Sequence, residues 1–161
     1  MHYTLTVKVH MAYPFGMELK LSKTGDYAVR AAISLARNYG DRYHKIRQVA
    51  DDMALPERYT PQILTMLARA GLAEARAGRD GGYRLSRQPA DITLLEIVEA
   101  AEGPLETSRC TLRGGPCQWD NVCPVHGAWV AAGRALRDSL AATSLAKIAR
   151  EDASLLHSQL S

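Results

Sequence analysis

The stretch PERYTPQILTMLARAGLAEARAGRDGGYRL, residues 56–85, decides the fold of this chain. In its first half, apolar residues recur at the intervals of one helix face, at Ile63, Met66, Leu67 and Ala70. Gly71 follows, where a helix C-terminus favours a residue that adopts the left-handed conformation. These features predict a helix that ends just before Gly71.

The second half of the stretch predicts a β-hairpin. Residues 73–76 and 83–86 alternate small or apolar residues with polar ones, which is the period of a strand. The segment 78–82 between them holds three glycines, which supply the positive φ angles of a tight tip. The tip carries Arg79 and no bulky side chain.

Two helices precede this stretch. Alanines and Leu35 repeat at helical intervals between Ser22 and Arg37, which predicts a first helix. A second, short helix begins at Ile46 and stops before Leu55-Pro56, because proline biases the residue before it away from helix. A turn at residues 54–56 follows it. Helix, tight turn, helix and hairpin together indicate a mainly α fold, a winged helix-turn-helix with a small β-hairpin wing. In that fold the later helix enters the major groove and the wing contacts phosphate or the minor groove.

The basic charge of the chain is concentrated in this region. The whole chain carries a net charge of only +3, yet residues 58–87 hold six arginines against Glu74 and Asp80. DNA affinity rests largely on the neutralisation of phosphates by such side chains. The pattern favours double-stranded DNA as the partner, although a solvated basic face would have the same composition.

The composition indicates an ordinary water-soluble protein. The chain has 161 residues, of which 47% are hydrophobic and 23% charged, and no apolar run is long enough for a membrane helix. The opening residues lack the apolar region of a signal peptide. We therefore expect a cytoplasmic protein with no membrane partner.

Beyond the wing, a fourth helix is predicted from Leu94 to Gly103. A seam of residues at alternating steps of four and three then predicts one long helix, with members Trp129, Gly133, Leu136, Leu140 and Thr143. A lone helix cannot bury such a seam. It could fold back on its own domain, but pairing with a second copy is favoured, because helix-turn-helix dimers read paired half-sites.

All three cysteines lie in CTLRGGPCQWDNVCPVHG, residues 110–127. Cys110, Cys117 and Cys123 are separated by six and five residues, and His126 follows after two more. An odd number of cysteines at close spacing favours a metal or redox site over a disulfide framework. Thiolates with one imidazole suit zinc or an iron–sulfur cluster, and three unliganded cysteines are the alternative.

The chain resembles the Rrf-type family of bacterial transcription regulators, which includes IscR-like and NsrR-like members. The resemblance runs from about Met17 to Ile148. It rests on LSKTGDYAVRAA at the first helix, on residues 56–85 and on the three-cysteine loop. It implies a homodimeric DNA-binding regulator, more often a repressor than an activator, that is controlled by an iron–sulfur cluster.

The resemblance implies two ligand sets. In IscR-like members three cysteines and a histidine hold a 2Fe-2S cluster, and Cys110, Cys117, Cys123 and His126 match them. In NsrR-like members an aspartate from the partner subunit's first helix completes a 4Fe-4S cluster, and Asp26 matches it. His126 is slightly favoured, although it could instead pack near Trp129, and Asp26 could be an ordinary first-turn carboxylate.

The resemblance also makes the helix before Gly71 the reading helix, and Pro61 places its start at Thr60 as N-cap. We expect the DNA contacts to be Arg58 and Tyr59 just before this helix, Gln62 and Thr65 on it, and Arg76, Arg79 and Arg84 on the wing. The dimer contacts are expected at Trp129, Gly133, Leu136 and Leu140.

The expected domains follow from these assignments. Residues 1–16 precede the resemblance and are either an N-terminal arm or the product of an upstream start. The other divisions are 17–103 for the winged helix-turn-helix domain, 104–127 for the cluster-binding loop, 128–150 for the dimerisation helix and following segment, and 151–161 for the C-terminal tail.

Three other functions compete with a cluster-switched regulator. A metal-free regulator could form a disulfide between two of its cysteines on oxidation. A zinc-binding protein could bind nucleic acid with Trp119 as a stacking platform. A cysteine enzyme is disfavoured, because the loop holds no orienting third group beside Cys and His. We therefore expect no enzyme activity.

Overall fold

The computed structural model describes residues 19–40, 42–105 and 122–159. Within these ranges the chain forms six α-helices and a two-stranded antiparallel sheet. The helices are α1 (Lys23–Arg37), α2 (Ile46–Asp52), α3 (Thr60–Arg69), α4 (Leu94–Glu102), α5 (His126–Ala141) and α6 (Leu145–Gln159). The strands are β1 (Ala73–Arg76) and β2 (Gly82–Leu85). The predicted mainly α fold with a hairpin wing is confirmed.

Helix α1 is the central element of the fold, and it packs against α2, α3, α4 and α6. The side chain of Ser22 accepts a hydrogen bond from the Gly25 backbone N–H, which caps the helix start. The buried face of α1 is built mainly of alanines and Leu35. Small side chains let the neighbouring helices approach closely, so one helix can support four others.

A side chain of α1 holds the turn between α2 and α3 in place. Ala54 adopts a positive φ of 48°, which an alanine takes only where the surroundings enforce it. The Arg30 guanidinium donates to the carbonyl oxygens of Met53 and Ala54 on either side of this strained position. The turn predicted at residues 54–56 is therefore held by a long-range contact that the local sequence does not contain.

The start of α3 differs from the sequence-based expectation. Tyr59 is the N-cap, and Thr60 is the first helical residue. The Thr60 hydroxyl donates to the Pro56 carbonyl oxygen at 3.0 Å and is fully buried. The prediction of Thr60 as N-cap was wrong, because its side chain satisfies the preceding turn instead of the helix amides.

The wing forms in the predicted register, with Ala73 opposite Leu85 and Arg76 opposite Gly82. The tip uses Gly78 and Gly82, whose φ angles are 98° and 148°. The side chain of Leu85 is buried in the core, which anchors the hairpin to the helices.

Helix α4 begins with a capping box. The Thr93 hydroxyl accepts from the Glu96 N–H, while the Glu96 carboxylate accepts from the Thr93 N–H at 2.8 Å. Burial raises the pKa of Glu96, but hydrogen bonds from Arg87 and from Thr93 outweigh it and hold the pKa below its usual value.

In the described residues from 122 to 159 the chain forms two helices where the sequence predicted one. The seam helix α5 ends at Ala141, so Thr143 lies outside it. Pro124 lies two residues before the first helical residue, His126. Helix α6 then crosses the expected boundary at residue 150, and Leu145 and Ala149 enter the core.

Candidate nucleic-acid interface and cysteine region

The residues at the start of α3 and along it that are expected to face DNA are exposed to different degrees. Gln62 is exposed, and the Tyr59 ring is 39% exposed. The Arg58 guanidinium lies over the Tyr59 ring at 4.5 Å and donates to its hydroxyl. Thr65 is half-buried, and its hydroxyl is 3.1 Å from the Tyr83 hydroxyl on β2. Thr65 therefore also links the reading helix to the wing.

A groove of about 600 Å³ separates the start of α1 from the start of α3. Its lining includes Lys23 and Tyr27 from α1, and Arg58, Tyr59 and Gln62 from the start of α3. The Tyr27 and Tyr59 rings lie 6.3 Å apart across it. Of the described residues that line the groove, two are cations and none is acidic, so its potential favours an anion.

The three wing arginines have different surroundings. Arg76 and Arg79 are exposed at the end of β1 and at the tip. Arg84 is half-buried, donates to the Glu74 carboxylate at 3.0 Å and lies over the Tyr43 ring at 4.7 Å. The Arg84 guanidinium is thus already engaged within the wing, and Arg76 and Arg79 are its outward cations.

The segment 43–45 also belongs to the wing, which the sequence reading missed. His44 and Tyr83 exchange backbone hydrogen bonds of 2.8 and 2.9 Å. The Tyr43 ring lies beneath Arg84 and 5.8 Å from the Arg76 guanidinium. The alternation of Tyr43, His44 and Lys45 is too short to predict a strand, and no local signal marks its partner.

Of the four ligands predicted in the cysteine loop, the structure describes Cys123 and His126. Both side chains are half-buried, and the His126 N–H donates to the Cys123 carbonyl oxygen at 3.3 Å where α5 begins. Cys110 and Cys117 lie outside the described residues, as does Trp119. Within the described ranges, no three His, Cys, Asp or Glu side chains come together as a metal site.

Asp26, the alternative fourth ligand, has a partner in its own chain. Its carboxylate lies 3.4 Å from the Arg30 guanidinium one turn along α1, and its side chain is 53% exposed. The same guanidinium holds the turn between α2 and α3. Asp26 is therefore accessible to a second subunit, and it is also connected to the helix-turn-helix.

No residue of helix α5 is fully buried in the part of the chain that the structure describes. Trp129 is 41% exposed, and Gly133, Leu136 and Leu140 are half-buried. Val122 and Val125, just before the helix, extend the exposed apolar surface. All four predicted dimer contacts thus lie on a helix whose apolar side is only partly covered.

Comparison with known proteins identifies the family of this chain. The model of the Rrf2 family, described as an iron-dependent transcriptional regulator, matches residues 21–151. The chain belongs to the Rrf2 family. Protein aau3 of Rhizobium meliloti is 36% identical over 111 residues, which cover 68% of this chain and 71% of that protein.

Two solved structures share the Rrf2 fold of this chain. CymR, the global cysteine regulator of B. subtilis, matches with a TM-score of 0.70 at 28% identity, covering 83% of this chain and 98% of CymR. IscR of T. potens matches with a TM-score of 0.67 at 26% identity, covering 84% of this chain and 90% of that chain.

This Rrf2 chain is thus a DNA-binding transcriptional regulator. The assignment agrees with the expectation of a regulator instead of an enzyme. Within the described residues, no helix is both long and apolar enough to cross a bilayer.

Proposed function

We propose that this Rrf2-family chain is a homodimeric transcriptional repressor whose DNA affinity is switched by an iron–sulfur cluster. One observation carries the proposal. The three-cysteine loop lies between a complete winged helix-turn-helix and a helix whose apolar side is only partly covered. A group bound there would be joined through the chain to the DNA-reading unit on one side and to the predicted dimer helix on the other.

The DNA-binding role rests on α3 and the wing. Tyr59, Gln62 and Arg58 lie at the exposed start of α3, and Arg76 and Arg79 lie on the wing. Base edges are read by polar side chains at the start of a reading helix, and wing arginines favour phosphates and narrow minor grooves. We expect binding that weakens steeply with salt, as phosphate neutralisation requires.

The described ligands fit an iron–sulfur cluster. Cys123 and His126 offer a thiolate and an imidazole on one turn, and Cys110 and Cys117 supply the remaining thiolates. Asp26 from a second subunit is the alternative to His126. A bound cluster would supply a redox-active group whose potential depends on which of these residues completes it.

A chain of contacts connects the cysteine loop to α3. Glu102 is the last residue of α4, just before the loop, and its carboxylate accepts from the backbone and hydroxyl of Ser22. Helix α1 carries Asp26 four residues after Ser22 and Tyr27 five residues after it. The Tyr27 ring lies 6.3 Å from that of Tyr59. A change in the loop therefore has a short path to the reading helix. Modest control needs a difference of about 1–3 kcal/mol between the DNA affinities of the two states.

Anaerobic purification with a visible spectrum and iron and sulfide assays tests the cofactor. Structured absorption bands, with two iron and two sulfide ions per chain, identify a 2Fe-2S cluster. His126→Ala should abolish the formation of this cluster. A broad shoulder with four irons per cluster makes Asp26→Asn the damaging change instead. Colourless, iron-free protein after reconstitution would exclude the cluster.

The same preparation tests the switch. Holo and apo protein are compared on a duplex that the wild-type protein recovers from a random-sequence pool. We expect their affinities to differ by tenfold or more, and equal affinities would contradict the switch.

A metal-free thiol switch is the second candidate, favoured by the similarity to CymR, a cysteine regulator. Two of the three cysteines would then form a disulfide on oxidation. This function predicts that a thiol oxidant changes DNA binding in iron-free protein, and that a reductant alone restores it.

A further inference from the structure

Helix α2 begins with a residue that opposes its own helix. Lys45 is the N-cap, and its φ of −68° and ψ of 149° are the extended geometry of an ordinary cap. Serine, threonine, aspartate or asparagine at this position would accept a hydrogen bond from a helix amide, whereas a lysine has no acceptor. Its charge also lies at the positive end of the helix dipole. Locally, Lys45 is an unfavourable choice.

The Lys45 ammonium is directed to the wing instead. Its Nζ lies 2.5 Å from the Arg79 carbonyl oxygen and 3.5 Å from that of Gly78. Both carbonyls belong to the turn of the hairpin tip, and that of Gly78 also accepts from the Gly81 N–H at 3.1 Å. Among the described ion pairs of the surface, none involves Lys45, so its positive charge is not neutralised by a carboxylate there.

The backbone beside Lys45 holds the contact in place. His44 pairs with Tyr83 on β2, and a Cβ at Gly82 would lie 2.3 Å from the His44 carbonyl oxygen. Only glycine permits this approach. The segment before α2 is therefore fixed against the hairpin, and the Lys45 stem spans the remaining distance to its tip.

We propose that Lys45 is a positioning residue of the DNA-binding wing, which fixes the tip carbonyls so that the Arg79 side chain is held toward the DNA. The role rests on the proposed DNA-binding function. It explains why a residue that is unfavourable for α2 stands at its N-cap, because local rules are broken where a distant contact compensates.

Replacement of Lys45 by serine separates the two roles of this position. Lys45→Ser supplies a favourable N-cap, so the apparent Tm of the full chain should rise by about 2–4 °C. The affinity for a duplex recovered from a random-sequence pool should nevertheless fall about tenfold. A merely structural role would move stability and affinity in the same direction. Lys147→Ser, which removes an exposed lysine from α6, is the charge-matched control and should leave affinity unchanged.

A double-mutant cycle identifies the path of the effect. Arg79→Ala should weaken binding about tenfold in the wild type but less than about threefold in Lys45→Ser, because the tip is already released. Lys45→Met, which keeps the apolar stem, should behave like Lys45→Ser in binding. Wild-type affinity in Lys45→Ser, or independent effects of the two substitutions, would overturn the proposal. A wild-type protein that binds no duplex would instead refute the proposed function itself.

Discussion

Gly25 has no side chain, and this leaves room for a carboxylate at the end of α4 to cap the start of α1. A Cβ there would lie 2.2 Å from the Oε1 atom of Glu102. That oxygen accepts hydrogen bonds from the Ser22 backbone at 2.9 Å and from the Ser22 hydroxyl at 2.7 Å. The end of α4 thus satisfies orphan donors at the start of α1, and it does so at the residue from which the cysteine loop departs.

Gly25→Ala should lower the free energy of unfolding by about 1 kcal/mol, because it displaces the Glu102 carboxylate from Ser22. In a Glu102→Ala background the same substitution should no longer destabilise the protein. It should instead raise the free energy of unfolding by about 0.5–1 kcal/mol, because alanine favours a helix more than glycine does. Urea unfolding of the four proteins measures both numbers. Equal costs in the two backgrounds would show that Glu102 is not the group displaced.

Among the elements, α6 is the one that completes the DNA-binding domain from the far end of the chain. Leu145 is fully buried, and its N–H donates to the Ile92 carbonyl oxygen at 2.8 Å. Arg37 on α1 lies 3.4 Å from Asp52 on α2 and 3.3 Å from Asp152 on α6. Both packing and charge therefore attach α6 to the helix-turn-helix.

Leu145→Ala should reduce the free energy of unfolding by about 2–4 kcal/mol, the usual cost of a cavity at a fully buried leucine. Lys147→Ala, on the exposed side of the same helix, should stay within about 0.5 kcal/mol of wild type. Chemical denaturation of the two variants compares them directly. Similar small effects would mean that α6 docks only loosely on the domain.

At the scale of the whole molecule, the half-exposed apolar side of α5 favours a symmetric dimer. Trp129 and Leu136 lie on a helix with no fully buried residue among those that the structure describes. A second copy would cover the same residues in return, as two-fold symmetry requires. The two reading helices would then face half-sites related by the same symmetry.

Leu136→Glu should convert the dimer into a folded monomer, because a charge in the seam opposes burial. Sedimentation should report half the mass, with a helical circular dichroism spectrum close to that of wild type. Binding to a duplex with two half-sites should fall by at least about tenfold, since one subunit loses the tethered second contact. Arg134→Glu, an exposed residue of the same helix, should remain a dimer; a dimeric Leu136→Glu would locate the contact elsewhere.

The sequence by itself determined the elements of the DNA-binding unit. Helical spacing from Ile63 to Ala70, the glycines of the hairpin tip and Pro56 were sufficient to predict α3, the wing and the turn, with errors of a residue or two at their ends. These signals are local, because periodicity and turn chemistry depend on residues close in the chain. The site residues of the cysteine loop and the DNA contacts stay predictions from the same source.

Only the tertiary structure decided how these elements are held together. It showed that α6 enters the core, that Arg30 closes the turn at Ala54, that Glu102 caps α1 and that Lys45 reaches the wing tip. The partners in the three hydrogen-bonded contacts are between 23 and 80 residues apart, and α6 lies farther still from α1, so no local pattern links them. The physical reason is that burial and hydrogen-bond satisfaction are settled between distant segments when the chain packs, whereas propensity acts within each segment.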